Sequence, residues 1–256
     1  MSTQLVGILF MVFILRALLA KKSFIASQTE FAKLFFPDRN VMTLSPGGYF
    51  GFYQMGICTF IKENYDTSNY VFSGASAGAW NALFMTLRTD PRFMKHILVK
   101  DYRHKNIFQI EWEMRTSILR YYTAKDFDLS RLCIGVVNVG QTKIYTDFDD
   151  LEDVLDCCIA SSHIPFVTGN ALQGYRNTWA FDGGFSHSPY LCTKESPGLH
   201  ITPFMWGQNK DGNVNLFRIR SGSSSCFENL FQRGYRDTLL YGQSILNESL
   251  PRITQR

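Results

Sequence analysis

Several familiar signatures are missing from this sequence of 256 residues. Its six cysteines form no CxxC pair and no cysteine and histidine pattern with the spacing of a zinc site. No basic stripe is interleaved with aromatic residues, and no segment has the low hydrophobicity and high charge of a disordered chain. Internal repeats are absent as well. These absences argue against a zinc module, a nucleic-acid-binding protein and a repeat array.

The composition is that of a globular chain with a sizeable core, since 45% of the residues are hydrophobic and 19% are charged. The formal net charge of +4 is small, and it suits an anionic membrane surface slightly better than an acidic partner. Several cysteines lie inside apolar runs such as LCIGVV, which favours buried free thiols in a reducing compartment.

The first segment does not resemble a soluble domain. Residues 5–20 are apolar except for Arg16, and two lysines follow the run instead of preceding it, as they would in a signal peptide. We expect a hydrophobic N-terminal helix that attaches the protein to a membrane and keeps the following domain cytoplasmic. A buried helix and an in-plane helix are the alternatives. The expected organisation is an anchor or signal-like segment (1–22), a linker (23–40), a main domain (41–245) and a tail (246–256).

Strand-like and helical patterns alternate through the main domain. This alternation predicts an α/β protein with three layers, α/β/α, around a largely parallel sheet. The predicted strands cover 41–45, 69–74, 131–139, 142–148, 177–184 and 199–206, and the main predicted helices cover 52–65, 76–87, 150–162 and 227–247.

The segment FSGASAG contains a serine between small residues, with a predicted strand before it and a predicted helix after it. Gly74, Ser76 and Gly78 form the pattern GxSxG. The pattern alone is as compatible with a plain turn as with a nucleophile, but its position between a strand and a helix favours a nucleophile elbow. The helix N-terminus would direct backbone N–H groups towards a developing anion.

Two further glycine-containing turns accompany this serine. SPGGYFGFYQMG contains Gly47, Gly48 and Gly51, and it can present several N–H groups to one point, as an oxyanion hole requires. A phosphate-binding loop is the alternative, but the lysine of a P-loop and the complete GxGxxG spacing are missing.

The other turn is FDGG, which contains Asp182, Gly183 and Gly184. Asp182 fits a catalytic carboxylate, although an Asx turn explains the same pattern. A serine nucleophile needs a base. Either His187 or His200 completes a Ser–His–Asp triad, or Asp182 itself takes the serine proton.

LSPGGYFGFYQMGI, FSGASAG and AFDGG resemble, in this order, the three signature blocks of patatin-like phospholipases. LQGYRNTWAFDGG and RGYRDTLLYG resemble the branch of adipose triglyceride lipase and adiponutrin. The resemblance covers roughly residues 41–243. It implies a patatin-like fold, with Ser76 as nucleophile, Asp182 as base, an oxyanion hole at Gly47, Gly48 and Tyr49, and no metal or cofactor. The chain departs from plant patatins at Pro46, which has no N–H to donate, and at Phe50, where they have a basic residue.

The expected activity is therefore hydrolysis of carboxylic esters in acylglycerols or glycerophospholipids, with acyl transfer to a glycerol hydroxyl as a further possibility. Two alternatives remain open: a catalytically weak lipid-binding or remodelling protein of the same fold, and a Ser–His–Asp esterase. The expected partners are a lipid substrate and a membrane or lipid-droplet surface, with the endoplasmic reticulum as another location and no nucleic acid. Residues 90–128 are expected to contribute to an acyl groove. The sequence identifies no protein coactivator and does not separate triacylglycerol from phospholipid.

Overall fold

A computed structural model describes residue 36, residue 102 and the ranges 39–99, 105–138, 141–191, 198–206 and 225–253. The expected N-terminal hydrophobic helix (1–22) and most of the linker (23–40) lie outside the described residues. Within the described residues, no helix combines the length and the apolar character needed to cross a bilayer.

The described part of the chain contains seven strands and seven α-helices. The strands are β1 (Asn40–Leu44), β2 (Tyr70–Ala75), β3 (Leu132–Asn138), β4 (Gln141–Tyr145), β5 (Gln173–Tyr175), β6 (Thr178–Phe181) and β7 (His200–Ile201). The helices are α1 (Gly51–Asn64), α2 (Ala77–Thr86), α3 (Pro91–Leu98), α4 (Ile107–Tyr121), α5 (Leu151–Ser161), α6 (Ser225–Tyr241) and α7 (Gln243–Ser249).

The strands form one mixed sheet in the order β5–β6–β3–β2–β1–β7, with β4 paired to β3. The pairs β7–β1, β1–β2 and β2–β3 are parallel, and β3–β4, β3–β6 and β5–β6 are antiparallel. Every residue of β2 is buried, as expected for a central parallel strand covered on both faces. The predicted α/β fold class is confirmed, and its parallel part is the region around β1 and β2.

The register of β3 brings the ends of two distant strands together. Ile134 and Gly135 pair with both β2 and β4, while Val137 and Asn138 pair with both β4 and β6. Because a strand has only two edges, β2 and β6 must share the edge of β3 that β4 does not occupy. They run towards each other along that edge, so the residues that follow Ala75 and Phe181 meet.

The two faces of the sheet bury different side chains. Met42 and Phe72 belong to a large core that also contains residues of α1, α2 and α5. Val41, Val71 and Cys133 belong to a smaller cluster on the opposite face, with Leu191 and the partly buried Phe36. This alternation follows from the period of two along a strand. It is consistent with the three-layer α/β/α arrangement.

The C-terminal helices differ in part from the expected single helix over 227–247. The helix breaks at Gly242, where an added Cβ would lie 2.7 Å from the Thr238 carbonyl oxygen. Leu246 and Leu250 are buried, so packed structure continues into the segment that the sequence assigns to a tail. The strand expected over 199–206 is limited to β7, and turns follow it from Pro203, which has no N–H for a sheet.

Candidate active site

Ser76 lies at the sharp turn between β2 and α2. Its φ of 56° and ψ of −130° place a non-glycine residue in a strained region of backbone space. The backbone N–H of Ser76 donates a hydrogen bond to Ser161 Oγ at 2.9 Å, and Ser161 Oγ donates to the Gly135 carbonyl at 2.7 Å. The strained turn is therefore held by a buried serine at the end of α5.

The small residues around Ser76 permit close backbone approaches. An added Cβ at Gly74 would lie 2.1 Å from the Gly78 carbonyl oxygen, and one at Gly78 would lie 2.0 Å from the Leu44 carbonyl oxygen. An added Cβ at Gly51 would lie 2.7 Å from Ala77 Cβ. Larger side chains would separate α2 from β1 and from the start of α1, so the spacing of the glycines has a direct packing reason.

Asp182 follows β6 and meets Ser76 at the shared edge of β3. Ser76 Oγ donates a hydrogen bond to Asp182 Oδ2 at 2.7 Å. The Gly184 N–H donates to Asp182 Oδ1 at 2.6 Å, which is the Asx-type contact that the sequence offered as an alternative. An added Cβ at Gly183 would lie 2.4 Å from the Gly135 carbonyl oxygen, so this glycine allows the turn to pack against β3. The Asx-type turn is therefore present, and the same carboxylate also accepts a hydrogen bond from Ser76.

Burial changes the acidity of Asp182. The residue is only 4% exposed, and its removal from water raises its pKa to about 6, although the hydrogen bonds from Ser76 and Gly184 oppose the rise. The carboxylate is therefore a stronger base than an aspartate in water, and it remains mostly ionised at neutral pH. A further contact orients it, because the Asp182 N–H donates to the His163 carbonyl oxygen at 2.7 Å.

The glycine-containing turn after β1 faces the same region. Gly48–Phe50 form a 3₁₀ turn that leads directly into α1, and Gly48 has a φ of 50°. Gly48 and Tyr49 line the cleft that contains Ser76. Gly47 lies at the start of the turn, where an added Cβ would be 3.2 Å from Pro203 Cγ. The N-termini of α1 and α2 thus converge on one cleft, which favours negative charge there.

The cleft has a cavity volume of about 80 Å³ and opens to solvent. Its described lining contains no lysine, arginine or histidine, and its walls are mainly apolar. Five residues of the range 90–128, which the sequence assigns to an acyl groove, line the cleft: Leu98, Ile107, Ile110, Glu111 and Met114. Phe108 and Trp112 of the same range are exposed on α4. The lining includes Gly48, Tyr49, Ser76, Glu111, Ile164, Val167, Thr168 and Asp182.

Sequence reasoning missed Glu111, a carboxyl group on the buried side of α4. Glu111 is 6% exposed, and its Oε2 has no hydrogen-bond partner. Burial raises its pKa well above the usual value, and the nearby Asp182 charge raises it further. Burial beside a second carboxyl group therefore favours the protonated form of Glu111. The sequence does contain a signal for it, in IEWEM: Glu111 occupies a helix position whose spacing from Ile107 and Met114 belongs to the buried, otherwise apolar face.

The two candidate triad histidines lie elsewhere. His187 is exposed, and the His200 ring on the edge strand β7 contacts Thr43 Oγ1 at 2.6 Å through Nδ1. The hydrogen-bond partner of Ser76 Oγ is the Asp182 carboxylate. This geometry favours a serine–aspartate pair over a triad with either histidine.

Comparisons with known proteins give one curated relative. No protein-family model matches the chain. The chain is similar to human 1-acylglycerol-3-phosphate O-acyltransferase PNPLA3, with 25% identity over 174 residues. The matched region covers 61% of this chain and 36% of the relative, so the chain corresponds to about a third of that protein.

Proposed function

The similarity to the human protein supports membership of the patatin-like family, in its adiponutrin branch, and from this we propose that the chain is a serine-dependent lipid acyl hydrolase. The observation that carries the proposal is the 2.7 Å hydrogen bond from Ser76 Oγ to the buried Asp182 carboxylate, inside an apolar cleft. The strained conformation of Ser76 at the end of a strand supports the same conclusion, because nucleophiles on such turns are exposed to substrate.

The proposed reaction proceeds through an acyl-enzyme. Ser76 Oγ attacks the ester carbonyl carbon while Asp182 accepts the serine proton. The carbonyl oxygen becomes an oxyanion, which backbone N–H groups of Gly47, Gly48 and Tyr49 stabilise. The C–O bond then breaks, and the glycerol oxygen leaves with the proton from Asp182. Water attacks the acyl carbon in the same way, its proton passes to Asp182, and Ser76 regains a proton as the fatty acid leaves.

The charges of the cleft favour an uncharged substrate head. Its described lining contains the carboxyl groups of Glu111 and Asp182 and no cationic side chain. A phosphate group near Ser76 would lose its water with only the partial charge of the helix N-termini, and no cationic side chain of the described lining, as compensation, which is costly. We therefore expect acylglycerols to be better substrates than phospholipids.

The human relative is named as a 1-acylglycerol-3-phosphate O-acyltransferase, which supports acyl transfer as a second candidate reaction. In this chain the acyl-enzyme would react with a lipid hydroxyl in place of water. The two reactions share Ser76 and Asp182 and differ in the acceptor.

The test measures fatty-acid release from a triolein emulsion and from phosphatidylcholine vesicles, for the wild type, Ser76→Ala and Asp182→Asn. We expect both variants to lose at least about 1,000-fold in kcat with either lipid, and the wild type to prefer triolein. Addition of 1-acylglycerol 3-phosphate with a labelled acyl donor detects transfer. Fluorophosphonate should label the wild type and not Ser76→Ala.

Folding controls accompany the two variants. Asn fits the Asp182 position, because its carbonyl oxygen can accept from the Gly184 N–H and its amide can donate to Ser76 Oγ. An unchanged thermal midpoint therefore links lost activity to chemistry. Activity that survives Ser76→Ala would refute the mechanism, and an inactive, unlabelled wild type would favour a lipid-binding protein.

A further inference from the structure

We propose that residues 164–172, with Phe166 at their tip, dock the protein on an uncharged lipid surface. The proposal rests on the proposed function, since it explains how the cleft receives a lipid. The docking patch consists of Phe166, Val167 and Leu172 on this segment and of Phe108 and Trp112 on α4.

Phe166 is held outwards by its backbone. Its side chain is 71% exposed, and its φ of 64° lies in the left-handed region that a bulky residue rarely adopts. Hydrogen bonds fix this conformation, because the N–H groups of Val167 and Thr168 both donate to the Ile164 carbonyl at 3.0 Å. Thr168 Oγ1 accepts from the Ile164 N–H at 2.7 Å. An exposed aromatic side chain on a strained, well-held turn indicates a functional constraint.

The same segment forms one wall of the cleft. Ile164, Val167 and Thr168 line it together with Ser76 and Asp182. Val167 is 53% exposed, so its side chain belongs both to the cleft and to the outer surface. A lipid surface in contact with the tip of the segment would therefore lie at the entrance through which an acyl chain reaches Ser76.

Exposed apolar side chains on α4 extend the patch. Phe108 and Trp112 are 43% and 53% exposed and lie one helical turn apart, and Leu172 is 48% exposed. Phe108 approaches the segment, since an added Cβ at Gly169 would lie 3.6 Å from Phe108 Cδ2. Two separate elements thus contribute exposed apolar side chains, and they approach each other at Phe108 and Gly169. Exposed apolar side chains gathered in this way are typical of an interaction surface.

The charges beside the patch indicate the kind of lipid. Arg115 and Arg176 share a surface pocket with Phe108 and Trp112. Arg115 forms ion pairs with Glu152 and Asp156, and Arg176 forms ion pairs with Asp147 and Asp153. Because carboxylates neutralise both cations, the described residues of this pocket offer no excess positive charge for anionic head groups. Uncharged acylglycerol or zwitterionic lipid fits this surface.

An environment-sensitive dye tests insertion without using catalysis. Phe166→Cys and Leu240→Cys in the full chain are labelled with the fluorophore NBD, alongside the labelled parent protein as background. Leu240 is the matched control, because it is 60% exposed on α6. On phosphatidylcholine vesicles we expect NBD emission at 166 to rise at least about twofold and to be quenched by doxyl-labelled lipid, with no change at 240. Unchanged NBD emission at position 166, or equal changes at positions 166 and 240, would overturn the proposal.

Kinetics provide a second measurement. Phe166→Ser/Leu172→Ser should lower fatty-acid release from emulsified triolein by about 10-fold, because two apolar side chains no longer enter the lipid. Turnover of soluble p-nitrophenyl butyrate should stay within about twofold, and Leu239→Ser/Leu240→Ser should change neither rate. The lower triolein activity of Phe166→Ser/Leu172→Ser should persist in 0.5 M salt. Equal activities of this variant and the wild type at that salt concentration would indicate docking by charge. Phe166→Gly, which relieves the strained φ, should lower emulsion activity without lowering the thermal midpoint. If the wild type releases no fatty acid, the proposed function fails, whereas the dye signals still decide the docking.

Discussion

The acidity of Asp182 leads to a testable pH dependence. With a pKa of about 6, this group is ionised to roughly nine-tenths at pH 7 and to roughly one-tenth at pH 5. Because only the ionised carboxylate accepts the Ser76 proton, kcat/KM should fall about 10-fold between these two pH values. An aspartate with the ordinary pKa would change the rate by only about 10% over the same interval.

The cause of the shift can be examined separately. Removal from water raises the pKa of Asp182, and the hydrogen bonds from Ser76 and Gly184 partly offset that effect. The rise in the pKa of Asp182 means that the folded protein favours the protonated carboxyl group over the ionised one by roughly 3 kcal/mol, relative to the unfolded chain. This contribution to folding stability is present at low pH and is lost as the pH rises through about 6. Activity and the stability contribution of this group therefore change in opposite directions with pH.

The assay is a pH profile of kcat/KM for p-nitrophenyl butyrate between pH 4.5 and 8 at constant ionic strength. A soluble substrate removes any effect of pH on a lipid surface. Glu111→Gln is an informative companion, because it keeps a polar side chain at this buried position and removes the carboxyl group beside Asp182. A pH profile that keeps its midpoint in this variant assigns the titration to Asp182. A rate that is constant down to pH 5, or a midpoint near 4, would refute the argument that burial makes Asp182 an effective base.

Two further predictions concern the structure around Ser76. Ser161→Ala removes the acceptor of the Ser76 N–H and the donor to the Gly135 carbonyl, so we expect a loss of about 2–4 kcal/mol in the free energy of unfolding together with a lower kcat. Urea unfolding measures the change in stability. An unchanged unfolding midpoint would show that the turn at Ser76 does not need Ser161. Gly78→Ala should prevent folding, because its Cβ would lie 2.0 Å from the Leu44 carbonyl oxygen. Gly174→Ala is the matched control, since an added Cβ there has nothing within 4 Å and should leave the thermal midpoint nearly unchanged. Soluble, fully active Gly78→Ala protein would contradict the close approach of α2 to β1.

Much of the fold and the candidate site could be predicted from local patterns. The alternation of strands and helices identified the α/β class, and the order of three glycine-containing turns gave the resemblance to patatin-like phospholipases. Ser76 and Asp182 follow strand-like runs, so their positions at strand ends were predictable as well. The catalytic roles of these two residues remain predictions, and so do the N–H donors of Gly47, Gly48 and Tyr49.

Other parts depend on packing between distant segments. Glu111 reads as one more charged residue of an amphipathic helix, and only the three-dimensional arrangement turns it towards the cleft with an unpartnered oxygen. Ser161 and Phe166 have no local signature either, since a buried serine bonded to a distant turn and an exposed aromatic in the left-handed region arise from tertiary contacts.

The sequence by itself determined which groups are available for chemistry: a serine and an aspartate at strand ends, and glycines where backbones must approach closely. The tertiary structure decided which of these groups meet. Ser76 and Asp182 are 106 residues apart, and their contact depends on β2 and β6 sharing one edge of β3. The choice of neighbouring strands in a sheet is a long-range property, because the residue pattern within one strand does not specify which other strand pairs with it.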